Sequence, residues 1–226
     1  MELLDHVVAE LGLKSDATVL DLGAGTGKLT RALVPRFARV VAVEPDDAMR
    51  AVLEEVVRAA EALAGRGESI PLGDEDVDAV FTAEAFHWFA SDESVAEIAR
   101  VLRPRGALVI LWNIGIEDDD MGEEAEAVIK AAIERGGVPG IGRVLSGEWR
   151  RPVEAAAFEP LREAEVERDL VKTRDEWIAN MLSVSSMAHQ PDEERAAFAE
   201  RMRELIPANR EVRRRVRTVA HWTRRV

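Results

Sequence analysis

The sequence contains no cysteine, and this absence excludes several kinds of site. A chain without thiols forms no disulfide framework, holds no zinc through thiolates and offers no cysteine nucleophile. Tyrosine is absent as well, so no phenol group serves as an acid or a base. The lack of cysteine fits the reducing cytoplasm, where we expect this protein to be located.

Long apolar runs are also lacking. No stretch approaches the roughly 20 consecutive apolar residues that a membrane-spanning helix needs. The N-terminal residues Met-Glu-Leu-Leu-Asp carry no basic segment ahead of an apolar one, as a signal peptide would. We therefore expect a protein that is neither anchored in a membrane nor exported.

Positive charge is scarce. The 226 residues include 43 acidic residues against 30 lysines and arginines, which gives a net charge of −13. Such a chain is a poor partner for nucleic acid or an anionic membrane, so we expect a small-molecule partner. Residues 201–226 are an exception, because arginines outnumber acids there. We interpret this segment as the exposed face of an edge strand, where charge opposes aggregation, rather than as an RNA-binding patch.

The most informative segment runs from Thr18 to Thr30. An aliphatic run ends in an acid, a glycine-rich turn follows, and helical spacing begins: Thr-Val-Leu-Asp21-Leu-Gly23-Ala24-Gly25-Thr26-Gly27-Lys28-Leu-Thr30. Strand, tight turn and helix in this order form the first unit of a nucleotide-binding fold. Glycine admits backbone conformations closed to other residues and lets a ligand approach the main chain.

Apolar strands and amphipathic helices alternate along the first half of the chain. The strands are predicted over residues 18–22, 40–43, 62–64, 77–83 and 107–112, the last of them after a turn at Pro104-Arg105-Gly106. Ser91 is a predicted helix N-cap. Because strands and helices alternate, the sequence predicts an α/β fold with a doubly wound, mainly parallel sheet.

The pattern is less regular after residue 113. It predicts a glycine-rich loop at 136–140, a strand over 161–171, a capping box starting at Thr173, a helix opening at Pro191 and a last strand over 211–219. The apolar content of 47% is enough for one core. We therefore predict a single domain over residues 1–226, with a cofactor-binding half (1–113) and a substrate-side half (114–226).

Two classes of ligand compete for the glycine turn. A dinucleotide fingerprint needs G-x-G-x-x-G, whose third glycine permits close packing of helix and strand. Counted from Gly23, that position holds Lys28, so the pyrophosphate interpretation weakens. A ligand with an amino-acid tail fits better, because its ammonium can pair with Asp21 and its carboxylate suits free backbone N–H groups.

Glu44 ends the second predicted strand, at the carboxyl edge where ligands bind in such sheets. A carboxylate there can accept hydrogen bonds from both ribose hydroxyls. In isolation a solvated acid at a strand end is the simpler interpretation. Behind this glycine turn we favour the ribose role.

Taken together, these motifs resemble the class I S-adenosylmethionine-dependent methyltransferases. Asp21 to Thr30 looks like the first motif of that family, and Val41-Ala42-Val43-Glu44-Pro45 with Met49 is similar to the second. Further blocks of similarity lie at 68–72, at 77–80, at Ala85-Phe86-His87-Trp88-Phe89 and over residues 100–113. The similarity is strongest over residues 18–113.

The resemblance implies a Rossmann-like sheet of seven strands, the last antiparallel, and S-adenosyl-L-methionine as cofactor without a metal. It places the methionine end of that cofactor at the first motif, the ribose at Glu44, the adenine near Met49 and Gly67, and the sulfonium beside the end of strand four. The implied cofactor-binding residues are Asp21, Gly23, Ala24, Gly25, Thr26, Gly27, Glu44, Pro45, Met49, Arg66, Gly67, Glu68, Ala83, Glu84 and Ala85. Arg66 departs from the family, where a hydrogen-bond acceptor often stands, so adenine recognition falls to the backbone or to Glu68.

Methyl transfer from a sulfonium needs a base only when the attacking atom carries a proton. His87, just past strand four, is the candidate base, and an equally weighted interpretation makes it part of the pocket wall. The candidate residues of an acceptor pocket are Trp88, Trp112, Asn113 and Trp149, although core packing is the better interpretation for each tryptophan alone. Polar residues near a helix end, His189 among them, are weaker candidates for the same pocket.

The sequence therefore predicts a methyltransferase that uses S-adenosylmethionine and a small organic acceptor. One alternative is an NAD(P)-dependent oxidoreductase, which the missing third glycine disfavours. Another is a non-catalytic binding protein on the same fold. Neither the acceptor nor the attacked atom follows from the sequence.

Overall fold

The computed structural model describes residues 2–118, 121–136, 141–188 and 190–226. Most of the predicted glycine-rich loop, residues 137–140, lies outside the described residues, as does the candidate His189. The described residues fold into two compact units. The first comprises residues 1–113, 146–166 and 218–226, and the second comprises residues 114–145 and 167–217. Residues 146–166 and 218–226 thus belong with the predicted cofactor-binding half.

Seven strands form one mixed sheet in the order β3-β2-β1-β4-β5-β7-β6, and the last strand is antiparallel, as predicted. The strands are β1 (Thr18–Leu22), β2 (Arg39–Val43), β3 (Glu61–Leu63), β4 (Val77–Ala83), β5 (Leu102–Asp118), β6 (Arg162–Thr173) and β7 (Glu211–Arg224). Strands β1 to β5 pair in parallel. Their carboxyl ends therefore meet at one edge, which carries the glycine turn after β1 and Glu44 after β2.

Helices connect the strands across the described residues. They are α1 (Glu2–Glu10), α2 (Thr30–Leu33), α3 (Asp47–Val56), α4 (Phe86–Phe89), α5 (Asp92–Val101), α6 (Glu123–Arg135), α7 (Ile141–Leu145), α8 (Arg150–Ala155), α9 (Arg174–Leu182), α10 (Ser185–Ala188) and α11 (Asp192–Leu205). Ser91 and Thr173 accept from the backbone N–H three residues on, as predicted. The α/β alternation predicted from the sequence is confirmed.

The predicted turn at residues 104–106 is wrong, because these residues lie inside β5. In the parallel pairing, Val77 lies opposite Leu102 and Ala79 lies opposite Ala107. An advance of two positions along β4 therefore corresponds to an advance of five positions along β5. Arg105 takes a left-handed φ of 62° within this irregularity. Proline and glycine thus disturb the register here without reversing the chain.

The first unit buries both faces of its strands. One face packs alternate residues such as Val19, Phe81 and Val109 against α1. The opposite face buries Ile110 and Trp112. The strands are therefore near-continuous apolar runs, as parallel strands covered on both faces require.

The second unit has its own apolar cluster. Trp177 and Ile178 of α9 are buried together with Phe198 and Met202 of α11 and Ala132 of α6. The helices α6, α9 and α11 thus share one core within this unit.

The arginine-rich last strand is not an edge strand, so that prediction is wrong. β7 lies between β5 and β6 in the sheet. Within the second unit its arginines pair with acids of β6, Arg215 with Asp169 at 2.9 Å and Arg217 with Glu167 at 2.8 Å. The positive charge of this segment is thus matched by neighbouring carboxylates of the same sheet.

Candidate active site

The glycine turn leaves β1 through three left-handed residues, Gly23, Gly25 and Gly27, with φ of 74°, 56° and 81°. A Cβ at Gly23 would lie 2.6 Å from the Cβ of Ala85, and a Cβ at Gly27 would lie 2.9 Å from Val57. A Cβ at Gly25 would meet nothing within 4 Å. Two of the glycines are therefore required by packing, whereas the third borders open space.

Four N–H groups of this turn are already used within the chain. Gly23 and Ala24 donate to the carbonyl of Val43, at 2.9 and 3.1 Å, and Gly27 donates to Ala24 at 2.9 Å. Gly25 donates to the Glu44 carboxylate at 2.8 Å. The N–H groups of Gly23, Ala24, Gly25 and Gly27 are therefore engaged within the chain, and a ligand carboxylate at other N–H groups of the turn stays a prediction.

Asp21 lies in β1 directly before the turn and is 1% exposed. Its Oδ2 accepts a hydrogen bond from the Thr30 hydroxyl at 2.6 Å. Its Oδ1 is buried and has no partner among the described residues. Burial, with a smaller contribution from the negative charge of Glu44, raises the pKa of Asp21 to about 7. A buried carboxylate oxygen without a donor is costly, so this atom points to a ligand that brings one.

Glu44 follows β2 and is also buried, with 7% of its surface exposed. Its Oε2 accepts from Gly25 N at 2.8 Å and its Oε1 from Asp46 N at 2.9 Å. Each carboxylate oxygen has two lone pairs, so both can still accept one further donor. Glu44 therefore fixes the turn and keeps acceptor capacity for ligand hydroxyls.

The predicted adenine-edge residues form a tight loop after β3. Arg66 and Ser69 exchange backbone hydrogen bonds of 3.3 and 3.0 Å, which leaves Gly67 and Glu68 at the tip. Arg66 and Glu68 are exposed, whereas Gly67 is buried. On the neighbouring α3, Met49 is half-buried in the first turn, and Pro45 before it is exposed.

Phe89 of α4 lies between the glycine turn and this loop. A Cβ at Gly67 would lie 2.8 Å from Cγ of the Phe89 ring, and one at Gly23 would lie 3.5 Å from its Cε1. The Phe89 ring thus packs directly on the backbone of Gly67, where a side chain would clash with it. The sequence motif contains Phe89, but sequence reasoning gave it no role.

The end of β4 carries a fixed carboxylate. Glu84 takes a left-handed φ of 58° between Ala83 and Ala85. Its Oε1 accepts from the N and the Nδ2 of Asn113, at 2.6 and 3.0 Å. Asn113 in turn accepts from the Thr218 hydroxyl at 2.7 Å. The structure therefore joins two predicted site residues, Glu84 and Asn113, directly, and it adds Thr218, which the sequence did not single out.

His87 of α4 is buried beneath the same edge, 9% exposed. The indole Nε1 of Trp112 donates to its Nδ1 at 3.3 Å. Trp112 and Trp149 are 1% and 4% exposed and pack against each other with ring centroids 4.6 Å apart. Of the three predicted pocket tryptophans only Trp88 presents a large exposed surface, 40%.

A second buried histidine, His221, packs against Trp149. The His221 ring lies 4.8 Å from the Trp149 ring, and its Nδ1 lies 3.0 Å from a Glu163 oxygen. Arg150 pairs with Glu163 at 2.9 Å and places its guanidinium 4.8 Å above Trp149. Burial and the positive charge of Arg150 lower the pKa of His221 to about 4, although Glu163 opposes the shift. Nothing in the local sequence pattern around Trp149 indicated this cluster.

Residues 2–118, 121–136, 141–188 and 190–226 contain no group of three His, Asp or Glu side chains placed to hold a metal ion. Within the same part of the chain, no helix is both long enough and apolar enough to cross a membrane.

Comparison with known protein families gives one match over the glycine turn and the sheet edge. A family model described as a methyltransferase domain matches residues 20–110. An uncharacterized methyltransferase of Mycobacterium tuberculosis is 38% identical over 188 residues, which are 83% of this chain and 72% of that protein. A malonyl-(acyl-carrier protein) O-methyltransferase of Methylococcus capsulatus is 39% identical over 98 residues, 41% of this chain and 36% of that protein.

Solved structures with the same fold cover nearly the whole chain. A proposed type II methyltransferase from Anaeromyxobacter dehalogenans superposes with a TM-score of 0.65 at 22% identity, covering 98% of this chain and 96% of that one. The (4+2)-cyclase SpnF superposes with a TM-score of 0.60 at 18% identity, covering 99% of this chain and 80% of that one. At such identities the likeness shows the fold alone.

Proposed function

Because this chain belongs to the class I S-adenosylmethionine-dependent methyltransferases, we propose that it transfers a methyl group from S-adenosyl-L-methionine to a small organic acceptor. The observation that carries the proposal is the buried Oδ1 of Asp21 beside the glycine turn, which has no donor among the residues that the structure describes. An α-ammonium group supplies that donor and a compensating charge. The net charge of −13 further supports a small molecule over nucleic acid as the acceptor.

The residues at the carboxyl edge fit the donor molecule. Asp21 would pair with its ammonium, and the remaining acceptor capacity of Glu44 would serve the ribose hydroxyls. The open space beside Gly25 leaves room for the methionine chain. Met49, Gly67 and its neighbours would border the adenine.

When bound, S-adenosylmethionine would supply a methyl group on a positively charged sulfur atom. The neutral thioether that remains after transfer is a good leaving group. The task of the protein is to hold two reactants in line and to keep water out. Ala83 and Ala85 flank the site with small side chains, and Trp88 and Asn113 would contact the acceptor. The malonyl-(acyl-carrier protein) relative methylates an oxygen, which supports an oxygen acceptor here as one choice among small molecules.

We also propose that residues 1–226 work as one methyltransferase domain in the cytoplasm. Solved structures of the same fold match 98% of the chain, which supports the single domain. The lack of cysteine supports the location.

The role of Glu44 is tested by replacing it with glutamine. Since an amide nitrogen cannot accept, Glu44→Gln loses one backbone bond and one ribose bond, and we expect S-adenosylhomocysteine to bind about 10 to 100-fold more weakly. The contribution of the ribose is isolated with the 2′-deoxy analogue, which should bind the native protein less tightly than the parent compound. In Glu44→Gln this preference should shrink, as a double-mutant cycle by calorimetry would show.

The matched control is Asp46→Asn, two residues away. Asp46 caps α3 through its side chain, and asparagine caps equally well. This variant should bind both compounds like the native protein. An unchanged preference for the 2′-hydroxyl in Glu44→Gln would show that Glu44 does not contact the ribose.

A further inference from the structure

The loop of residues 65–71, which we call the β3 loop, lies at the carboxyl edge of the sheet. The backbone N–H of Glu44 donates to the carbonyl of Leu63, the last residue of β3, at 3.1 Å. The Phe89 ring packs on Gly67 of the β3 loop, and it lies 3.5 Å from the position that a Cβ of Gly23 would take. The loop therefore begins beside Glu44 and contacts the glycine turn through the Phe89 ring.

The tip of the β3 loop keeps its hydrogen-bonding groups for a ligand. Arg66 and Ser69 pair with each other through the backbone. Between them, Gly67 and Glu68 form no hydrogen bond with any residue that the structure describes. The carbonyl groups of these two residues and the Glu68 carboxylate are acceptors. The tip therefore suits a ligand edge that donates, as the 6-amino group of adenine does.

Two side chains of α5, Glu97 and Arg100, hold the base of this loop. Glu97 Oε2 accepts from the backbone N–H of Ile70 at 3.1 Å, and Arg100 Nη2 donates to the carbonyl of Ile70 at 3.0 Å. Arg100 Nη1 also donates to the carbonyl of Leu72 at 2.8 Å and to the Asp74 carboxylate at 2.9 Å. Ile70 is 4% exposed. One helix therefore binds both backbone polar groups of a buried residue next to the tip.

Glu97 and Arg100 are also fixed to each other. Arg100 donates to Glu97 through Nε at 2.7 Å and through Nη2 at 2.8 Å, which is the bidentate geometry of a strong pair. These hydrogen bonds lower the pKa of Glu97, so its carboxylate is ionised at neutral pH. Ser94, three residues before Glu97, donates to the carbonyl of Phe89 at 2.6 Å. The helix α5 thus fixes both the β3 loop and the ring that packs on it.

We propose that Glu97 and Arg100 are positioning residues that hold the β3 loop so that its tip selects the 6-amino group of adenine. This inference rests on the proposed function, because it assumes an adenosyl ligand. Neither side chain needs to touch the ligand, since both act through Ile70, two residues from Glu68. When the base of the loop is loosened, the acceptors at the tip can move. A purine with oxygen at position 6 is then rejected less strongly.

The selectivity is measured by calorimetry with S-adenosylhomocysteine and with S-inosylhomocysteine, in which an oxygen replaces the 6-amino group. We expect the native protein to prefer the adenine compound by about tenfold or more, as one or two hydrogen bonds would provide. In Arg100→Gln this preference should fall to about threefold or less. An undiminished preference in this variant would overturn the positioning role, and so would a native protein that binds both compounds equally. A native protein that binds neither compound would overturn the proposed function itself, and this inference with it.

Arg103→Gln is the matched control. Arg103 donates to the backbone carbonyls of Glu75 and Asp76, at 3.2 and 2.9 Å, and to the Asp78 carboxylate at 2.7 Å. It therefore binds the same connection between β3 and β4 in a similar manner, but away from the tip of the β3 loop. We expect this variant to lose stability while it keeps the native preference for adenine. An equal loss of preference in Arg103→Gln and Arg100→Gln would overturn the specific role of the pair.

Amide hydrogen exchange provides a second test, which needs no ligand and uses a milder variant. Glu97→Ala removes the acceptor of the Ile70 N–H, leaves the bonds from Arg100 to the loop carbonyls in place and puts a good helix former in α5. We expect the Ile70 amide to exchange about tenfold faster or more in this variant, and the preference for adenine to fall as well. In Arg103→Gln the Ile70 amide should exchange as in the native protein. Unchanged exchange of the Ile70 amide in Glu97→Ala would overturn the anchoring of the loop by α5.

Discussion

Replacing Gly23 with alanine is expected to lower the free energy of unfolding by about 2 to 5 kcal/mol. Two costs add at this position. The residue has a φ of 74°, where an L side chain is strained, and the new Cβ would lie 2.6 Å from the Cβ of Ala85. Ala85 is fixed between β4 and α4, so neither partner can move away cheaply. Thermal and urea unfolding of the variant would measure the loss.

Two other glycines provide matched controls for the backbone cost. Gly12 and Gly25 have φ of 57° and 56°, and a Cβ at either would meet nothing within 4 Å. Each alanine variant should lose only about 1 kcal/mol. Gly25→Ala should in addition weaken S-adenosylhomocysteine binding, because its methyl group enters the proposed ligand space, whereas Gly12→Ala should bind normally. A Gly23→Ala protein as stable as Gly12→Ala would show that the turn does not pack on Ala85.

The second large effect concerns Asp21 and pH. Its pKa is about 7 in the folded protein and 3.8 in an unfolded chain, so the folded state holds a proton that the unfolded state has lost. The stability of the ligand-free protein should therefore fall as the pH rises from about 4 to about 7, by at most about 4 kcal/mol. Asp21→Asn removes the titration. Its unfolding free energy should vary less over this range and exceed that of the native protein at pH 8.

Ligand affinity should change with pH in the opposite direction. An α-ammonium group pairs with the ionised form of Asp21, so S-adenosylhomocysteine should bind more tightly as the pH rises towards 7, by up to about tenfold per pH unit. Binding below that pH should release a proton. Calorimetry at pH 6 in buffers of different ionisation enthalpy would count it.

Asp21→Asn should release no proton, and its affinity for S-adenosylhomocysteine should be low and flat with pH. Asp46→Asn, the exposed helix cap, should behave like the native protein in both measurements. A native protein whose affinity is constant between pH 5.5 and 8 would contradict the pairing of Asp21 with the ligand.

The order of strands and helices could be predicted because short apolar runs and helical spacing are local properties. The strand from Thr18 to Leu22 and the cap at Ser91 match the structure for this reason. Residues 104–106 were misleading because a proline and a glycine can reverse a chain or only disturb its register. The arginine-rich strand was misplaced because position within a sheet depends on pairing between distant segments.

Part of the candidate site could likewise be predicted from the sequence, and part could not. Asp21, the glycine turn and Glu44 are close in sequence to strand ends, so their meeting at one edge followed from the parallel sheet. The hydrogen bond from Trp112 to His87 joins residues that are 25 positions apart in the sequence. Trp149 and His221, which contact each other, are farther apart in the sequence than that. Such contacts depend on how helices pack onto the sheet, and no local pattern records them.

The fold itself does not determine the reaction. A cyclase superposes on this chain with a TM-score of 0.60, close to that of a proposed methyltransferase, 0.65. Family membership therefore supports methyl transfer, and the proposed contacts to the methyl donor depend on Asp21 and Glu44.

The most direct measurement of the central claim is a thermal-shift titration of the native protein with S-adenosylhomocysteine and, separately, with NADH. From the residues at the carboxyl edge of the sheet, we expect S-adenosylhomocysteine to raise the melting temperature in a saturable manner. We expect NADH to leave the melting temperature unchanged, because Lys28 occupies the position where a dinucleotide site needs its third glycine. Stabilisation by NADH without any response to S-adenosylhomocysteine would contradict the account.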